Sequence, residues 1–114
     1  MNETAYLGEF EQLVLLAVLR TSQGVADASG VAIARELEEQ AGRRVSRGAL
    51  YTTLDRLERK GLLRWKIAVG GDERGSLPRR AYAVTARGTT ALRESQRTLQ
   101  RMWRGLEPVL KERS

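Results

Sequence analysis

Apolar residues recur at intervals of three and four in the first half of the chain, which is the spacing of helices that bury one side. The stretch from Leu7 to Arg20 is apolar nearly all round, so it predicts a central helix. A second helix is predicted between a cap at Ser29 and a stop at Gly42. Its expected inner stripe consists of Val31, Ala34, Leu37 and Ala41.

A third helix is predicted inside the stretch VSRGALYTTLDRLERKGLL at 45–63, with a cap at Ser46 and an end at Gly61. The stripe expected to be buried consists of Leu50, Leu54 and Leu57. At about 100° per residue, the opposite side has a different character. It carries Gly48, Thr52, Asp55, Arg56 and Arg59, with Tyr51 on the flank.

After Gly61 the pattern changes to alternation, which is typical of strands. In the segment 62–69 the apolar residues Leu63, Trp65 and Ile67 alternate with cations, and Tyr82 and Val84 alternate in RRAYAVT. Between the two segments lies GGDERGSLP at 70–78, whose composition favours a turn. The two strands and the turn predict a β-hairpin.

The last predicted helix begins at a Thr85 cap and carries apolar residues seven apart, which is the seam of a helix pair. Pro108 is expected to kink or end this helix. A domain of this size has no remaining partner for the seam, so the pattern predicts a homodimer about a two-fold axis. The alternative is that the helix folds back on its own domain. The predicted interface consists of Leu7, Phe10, Leu92, Leu99, Met102, Trp103 and Leu106.

The order of these elements is three helices, a hairpin and a long helix, which is the order of a winged helix. We therefore expect a mainly α fold with a small β-hairpin. A winged helix-turn-helix would occupy residues 1–85, and a C-terminal dimerisation helix would occupy residues 86–114.

The composition of the 114 residues excludes several kinds of chemistry. The chain has no Cys and no His, which removes disulfides, the usual zinc sites and the commonest general base. We therefore expect neither an enzyme nor a bound cofactor. The longest apolar run, Leu13 to Leu19, falls short of the roughly 20 residues that a membrane span needs. The acidic N-terminus lacks the basic start of a secretory signal, so we expect a cytoplasmic protein.

The net charge of +6 is unevenly distributed along the chain. Residues 1–42 hold two basic and seven acidic residues, whereas residues 43–80 hold eleven basic and four acidic ones. An excess of cations over the third helix and hairpin indicates a surface for a polyanion such as DNA. On charge alone, a general role in solubility is equally compatible.

In DNA-binding winged helices, the second helix of the helix-turn-helix enters the major groove. A glycine at position 48 would allow that helix to approach DNA closely, although a glycine on an ordinary solvated face is the alternative. Hydroxyls and guanidinium groups nearby could contact bases or phosphates. The predicted DNA-binding residues are Ser46, Arg47, Gly48, Tyr51, Thr52, Arg56, Lys66, Arg79 and Arg80. Thr53 is a further candidate hydroxyl.

Three segments carry a family resemblance: LGEFEQLVLLAVL, GVAIARELEEQAGRRVSRGALYTTLDRLERKGLL and GSLPRRAYAVTARGTTAL. From Leu7 to Leu92 the chain resembles the PadR-like family of winged-helix transcriptional regulators. It departs from the family at Ser29-Gly30, where Tyr-Gly is usual. It also departs at GSLPRR, where the wing usually has a Gly-Arg-Pro run.

The resemblance implies a homodimeric DNA-binding regulator, most often a repressor, acting on a pseudo-palindromic operator. It places the chain in the small subgroup with one C-terminal helix. It also implies release by a small aromatic effector in a pocket at Leu99, Met102 and Trp103, for which simple interface packing is the alternative. A winged helix used only for protein–protein contact is the alternative function.

Overall fold

A computed structural model describes residues 7–22, 28–68 and 79–113 of the chain. Three helices come first: α1 (Glu9–Thr21), α2 (Gly30–Ala41) and α3 (Arg47–Arg59). Two strands, β1 (Leu63–Ala68) and β2 (Arg79–Val84), form an antiparallel hairpin. Two further helices follow, α4 (Ala86–Trp103) and α5 (Glu107–Arg113). This order confirms the predicted winged-helix class.

Helix α1 lies at the centre of the core, as its apolar sequence predicts. Val14, Leu15 and Val18 have no solvent exposure, and they pack with residues of α2, α3 and the hairpin. The helix starts where the backbone N–H of Gly8 donates a hydrogen bond to Glu11 Oε1 at 3.1 Å. No helix in the described parts of the chain is long and apolar enough to cross a membrane.

The helix-turn-helix consists of α2 and α3, and hydroxyl caps fix both starts. Ser29 Oγ accepts from the Ala32 N–H, and Ser46 Oγ accepts from the Ala49 N–H, each at 3.1 Å. Gly42 ends α2 with φ 65°, a left-handed conformation that glycine adopts without strain.

One part of the predicted α2 stripe is wrong. Val31 is 57% exposed and Ile33 is buried in its place, whereas Leu37 is buried as predicted. The buried side is rotated because α2 packs on both α1 and α3, which a single periodic stripe does not represent.

The hairpin has the predicted strands, paired from Leu63↔Val84 to Ala68↔Arg79. Ala28 adds a single bridge to the free side of β2, where the Tyr82 N–H donates to the Ala28 carbonyl at 2.8 Å. Ile67, one of the alternating apolar residues of β1, is 55% exposed. It lies near the outer end of the hairpin, beyond the reach of the core. The predicted turn at 70–78 lies outside the described residues.

The start of α4 is attached to the corner between α3 and β1. Thr85 Oγ1 donates to the Gly61 carbonyl at 2.7 Å and accepts from the Gly88 N–H at 3.0 Å. A Cβ on Gly88 would lie 2.2 Å from the Leu62 carbonyl oxygen, so only glycine fits there. This contact fixes the direction in which α4 leaves the domain.

The C-terminal helix is divided, which corrects the prediction of a single helix kinked or ended by Pro108. The break falls earlier, at Arg104 to Leu106, where Gly105 has φ 83°. Pro108 instead lies in the first turn of α5, where a missing N–H costs no hydrogen bond. The radius of gyration is 16.3 Å, against about 13 Å for a compact chain of this length. The end of α4 and α5 therefore project from the domain.

Candidate nucleic-acid interface

The outward face of α3 has the polar, cationic character that the sequence predicts. Leu50, Leu54 and Leu57 turn inward and are at most 2% exposed. Arg47, Gly48, Thr52 and Arg56 are exposed. Ser46 is exposed too, but its hydroxyl is occupied by the cap, which leaves its lone pairs only partly available to a ligand.

Gly48 is surrounded by open space. A Cβ built on it would meet no atom within 4 Å, so no packing within the described residues requires glycine here. Its φ is also not in the left-handed region that favours glycine. The fold therefore supplies no reason for glycine at this position, whereas a ligand close to the first turn of α3 would.

Thr53 does not belong to this face. It is 5% exposed, and its hydroxyl donates to the Ala49 carbonyl at 3.0 Å. The candidate role of Thr53 in binding is therefore wrong, because its hydroxyl is satisfied inside the protein.

Tyr51 is half-buried between α3 and the start of α2. A Cβ on Gly30 would lie 2.2 Å from the Tyr51 Oη and 2.9 Å from its Cζ. The phenol thus packs directly on the Gly30 backbone. This contact gives Tyr51 a structural role in the helix-turn-helix, alongside its predicted role as a phosphate contact.

Arg56 is connected to the core through Glu11 of α1. The Glu11 carboxylate is buried and accepts two hydrogen bonds of 3.0 Å from Lys60 Nζ. Arg56 Nη1 lies 3.9 Å from the same carboxylate. Glu11 therefore attracts Arg56 of α3 and Lys60, which follows α3, toward α1; no spacing in the sequence indicates this arrangement.

The register of the hairpin divides its predicted cations between two faces. Lys66 pairs with Ala81 and Arg79 with Ala68, so both cations project from the same face. Both side chains are exposed. Arg80 projects from the other face, where Trp65 and Tyr82 also lie. The nine predicted residues therefore do not form a single surface.

Arg80 is held by two groups of its own chain. Its guanidinium carbon lies 4.2 Å from the centroid of the Trp65 ring, and its Nη1 lies 3.3 Å from Asp55 Oδ1 on α3. The sequence places Trp65 among the alternating apolar residues of β1 and Asp55 on the outward side of α3, and it predicts no partner for either. The alternation of β1 could have placed Trp65 on this face, but nothing indicated the contact with α3.

Charge pairing in the described residues separates the two halves of the helix-turn-helix. Three glutamates of α1 and α2 pair with arginines that lie outside the outward face of α3: Arg20 with Glu36, Arg43 with Glu9 at 2.8 Å, and Arg44 with Glu38 at 3.8 Å. Arg47 and Arg79 form no ion pair with any other described residue. Their charges are available to an external anion.

Tyr82 lies beneath the hairpin and is 1% exposed. Its hydroxyl has no hydrogen-bond partner among the described residues. Burial raises the pKa of the Tyr82 phenol above its ordinary value, and the neighbouring Arg80 guanidinium opposes part of that rise. Within the same residues, no cluster of three acidic side chains could hold a metal ion.

The predicted interface residues fall into two groups. Leu7 is buried in the core of its own chain, and Phe10 and Leu92 pack partly against that core. The other group projects beyond the domain and is exposed to between 46% and 70%. It consists of Leu99, Met102, Trp103 and Leu106, with Val109 and Leu110 of α5 beside them.

Comparisons with known proteins agree with this architecture. Residues 15–94 match the model of the transcriptional regulator PadR-like family. No curated protein matches the chain.

Three solved structures illustrate the structural likeness. A PadR family transcriptional regulator from Eggerthella lenta DSM 2243 is 29% identical, with a TM-score of 0.66 over 90% of this chain and 86% of that one. A PadR-like transcriptional regulator from Bacillus cereus strain ATCC 14579 is 21% identical, with a TM-score of 0.69 over 89% and 90%. PadR from Bacillus subtilis, in complex with operator DNA, is 18% identical, with a TM-score of 0.62 over 76% of this chain and 46% of that one.

Proposed function

The chain belongs to the PadR-like family of transcriptional regulators, and from this we propose that it is a homodimeric repressor that binds a pseudo-palindromic operator. Helix α3 enters the major groove, and the hairpin lies along the adjoining phosphates. Arg47, Gly48, Thr52 and Arg56 supply the groove contacts. Lys66 and Arg79 supply contacts to the DNA backbone.

The observation that carries this proposal is the outward face of α3. It combines two exposed arginines and a threonine with a glycine whose missing side chain opens onto empty space. Such a face approaches a flat base edge closely and offers charged and hydroxyl donors to it. A surface used only for protein contact has no need of cations such as Arg47 and Arg79, which pair with no other described residue. The Bacillus subtilis PadR structure, solved with operator DNA, is a precedent for this use of the fold.

The dimer is the second part of the proposal. Six large apolar side chains of α4, α5 and the residues between them are exposed to between 46% and 70%, and a second copy of the chain would cover them. Pairing about a two-fold axis would place two α3 helices about one turn of DNA apart, roughly 34 Å. The operator would then consist of two inverted half-sites.

Release by a small aromatic effector is the third part. Leu99, Met102 and Trp103 are exposed side by side on α4, so a flat ligand could stack on Trp103 where two copies meet. Packing of the same side chains between the two copies is the competing role. Titration of the protein–DNA complex with aromatic compounds separates the two.

The test is a mobility-shift titration with the DNA directly upstream of this protein's gene and with unrelated DNA of equal length. We expect the upstream fragment to bind at least about 100-fold more tightly, with an affinity that falls as salt rises. Arg47→Ala should weaken specific binding by roughly 5- to 150-fold. Gly48→Ala should weaken it as well, although the added methyl meets nothing in the free protein.

Arg97→Ala is the matched control. Arg97 is exposed on α4, and helical spacing places it opposite Leu99. Arg97→Ala removes the same charge as Arg47→Ala but leaves α3 unchanged. An equal loss of affinity in both variants would show that Arg47 acts only through the net charge of the protein. Equal, weak binding of the wild type to both fragments would favour the protein–protein module instead.

A further inference from the structure

Arg80 makes two contacts at once, one within the hairpin and one with α3. The guanidinium stacks over the Trp65 ring of β1 at 4.2 Å, which is a cation–π distance. Its Nη1 lies 3.3 Å from Asp55 Oδ1, near the middle of α3. A planar guanidinium suits this double contact, because its face stacks on the ring while the N–H groups at its edge pair with the carboxylate.

The position of these contacts along the hairpin is informative. Arg80 pairs with Ile67, and only the pair Ala68↔Arg79 lies beyond it among the described residues. The inner end of β2 is already fixed by buried Tyr82 and by its bridge to Ala28. Arg80 therefore attaches the outer end of the described strands to α3. At this level of the hairpin its partner Ile67 is exposed and does not pack in the core.

We propose that Arg80, Trp65 and Asp55 form a clamp that sets the position of the hairpin relative to α3 for DNA binding. This proposal rests on the proposed function. Arg80 is then a positioning residue, and the phosphate contacts of the hairpin belong to Lys66 and Arg79 on its opposite face. Both α3 and the hairpin must contact one duplex, so a fixed geometry between them lowers the cost of ordering on binding.

The clamp predicts an effect of Asp55→Asn opposite in sign to that of simple electrostatics. Removing a negative charge from α3 should strengthen binding to a polyanion if only net charge matters. If Asp55 holds Arg80, the same change should weaken specific binding by at least about 5-fold. The slope of affinity against salt should stay unchanged, because no phosphate contact is lost.

Glu58→Gln is the matched control on the same helix. Glu58 is exposed on α3 and forms no ion pair with another described residue. Glu58→Gln removes the same charge as Asp55→Asn but leaves the clamp unchanged. We expect specific binding at least equal to that of the wild type.

Arg80→Lys separates the clamp from a direct phosphate contact. Lysine keeps the charge but loses the planar stacking on Trp65. The clamp predicts the same loss as Asp55→Asn, and a double variant no weaker than either single one, because both changes break one unit. A direct contact predicts that Arg80→Lys keeps its affinity and that Arg80→Ala lowers the salt slope by about one.

Two readouts decide the outcome. The first is the ratio of specific to non-specific affinity. A variant that is only less stable has less folded protein, which lowers both affinities equally and leaves their ratio unchanged. The second needs no DNA: amide hydrogen exchange in β1 and β2 should become faster in Asp55→Asn and Arg80→Lys, but not in Glu58→Gln.

Tighter binding by Asp55→Asn, or unchanged exchange, would overturn the clamp while leaving DNA binding intact. A wild type without preference for its upstream DNA would overturn the proposed function and the DNA role of the clamp together. Hydrogen exchange would then still show whether the hairpin is held on α3.

Discussion

Tyr82 shows at the scale of one residue how this small core tolerates an imperfect group. The ring fills the centre of the hairpin, but its buried hydroxyl has no partner among the described residues. A buried hydroxyl without a hydrogen bond costs about 1–3 kcal/mol. Burial of the apolar ring therefore stabilises the fold, and the unsatisfied hydroxyl oxygen lowers that stabilisation.

Tyr82→Phe should keep the free energy of unfolding near pH 7 unchanged or raise it by about 1 kcal/mol, because it removes an unsatisfied hydroxyl and no packing. Burial raises the pKa of Tyr82 above its unfolded value of 10.0. The neutral phenol therefore contributes its full share of the free energy of unfolding below pH 10. That share is lost as the pH rises through the pKa of the folded state. Urea denaturation at several pH values should show a shallower decline above pH 10 in the variant. A loss of more than about 1 kcal/mol at pH 7 would mean that the hydroxyl has a partner.

Single residues were predictable from sequence where a local rule governs them. The caps at Ser29, Ser46 and Thr85 follow from hydroxyl side chains ahead of helical spacing, and all three are confirmed. The error at Val31 arose where burial depends on a distant neighbour, and the exposure of Ile67 has the same cause. Alternation marks which side a residue takes, but not how far the core extends along that side.

Contacts between elements depend on a few charged groups as well as on the apolar core. Glu11 of α1 accepts from Lys60 at the end of α3 and caps its own helix through Gly8. Thr85 connects the start of α4 to the end of α3. The elements themselves were predictable because each carries its own periodicity. Their charged connections were not, since 49 residues separate Glu11 from Lys60.

Glu11→Gln should lower the free energy of unfolding by about 1–3 kcal/mol, because the charged hydrogen bonds between Glu11 and Lys60 are lost in a partly buried site. Chemical denaturation measures the change. Glu39→Gln is the control, since Glu39 is exposed on α2 and forms no ion pair with a described residue. It should change stability by no more than about 0.5 kcal/mol. Equal effects in the two variants would contradict the role given to Glu11.

For the whole molecule, the decisive feature is the projecting end of α4 with α5. Gly88 and Ala91 bury the first turns of α4, while Leu99 and Met102 leave the domain uncovered. Sequence periodicity identified this apolar row. It missed the break at Gly105, because a heptad count assumes a continuous helix. The division into domains 1–85 and 86–114, the homodimer and the cytoplasmic location stay predictions.

Met102→Glu should weaken self-association at least about 10-fold, because it places a charge in the centre of the proposed interface. Met102 is 70% exposed in the single chain, so the fold should survive. Sedimentation equilibrium over a range of concentrations measures the effect. Thr90→Glu adds the same charge on the opposite side of α4 and should leave association unchanged. A monomeric wild type would contradict the dimer outright.

The open space around Gly48 also has a consequence for laboratory evolution. The Cβ of an alanine there meets no described atom within 4 Å, and alanine stabilises helices over glycine by up to about 1 kcal/mol. A selection for heat resistance alone should therefore accept alanine at position 48 early. If α3 reads DNA as proposed, a selection for repression should reject the same change. The two selections would then disagree at this position, although no contact within the described residues distinguishes glycine from alanine there.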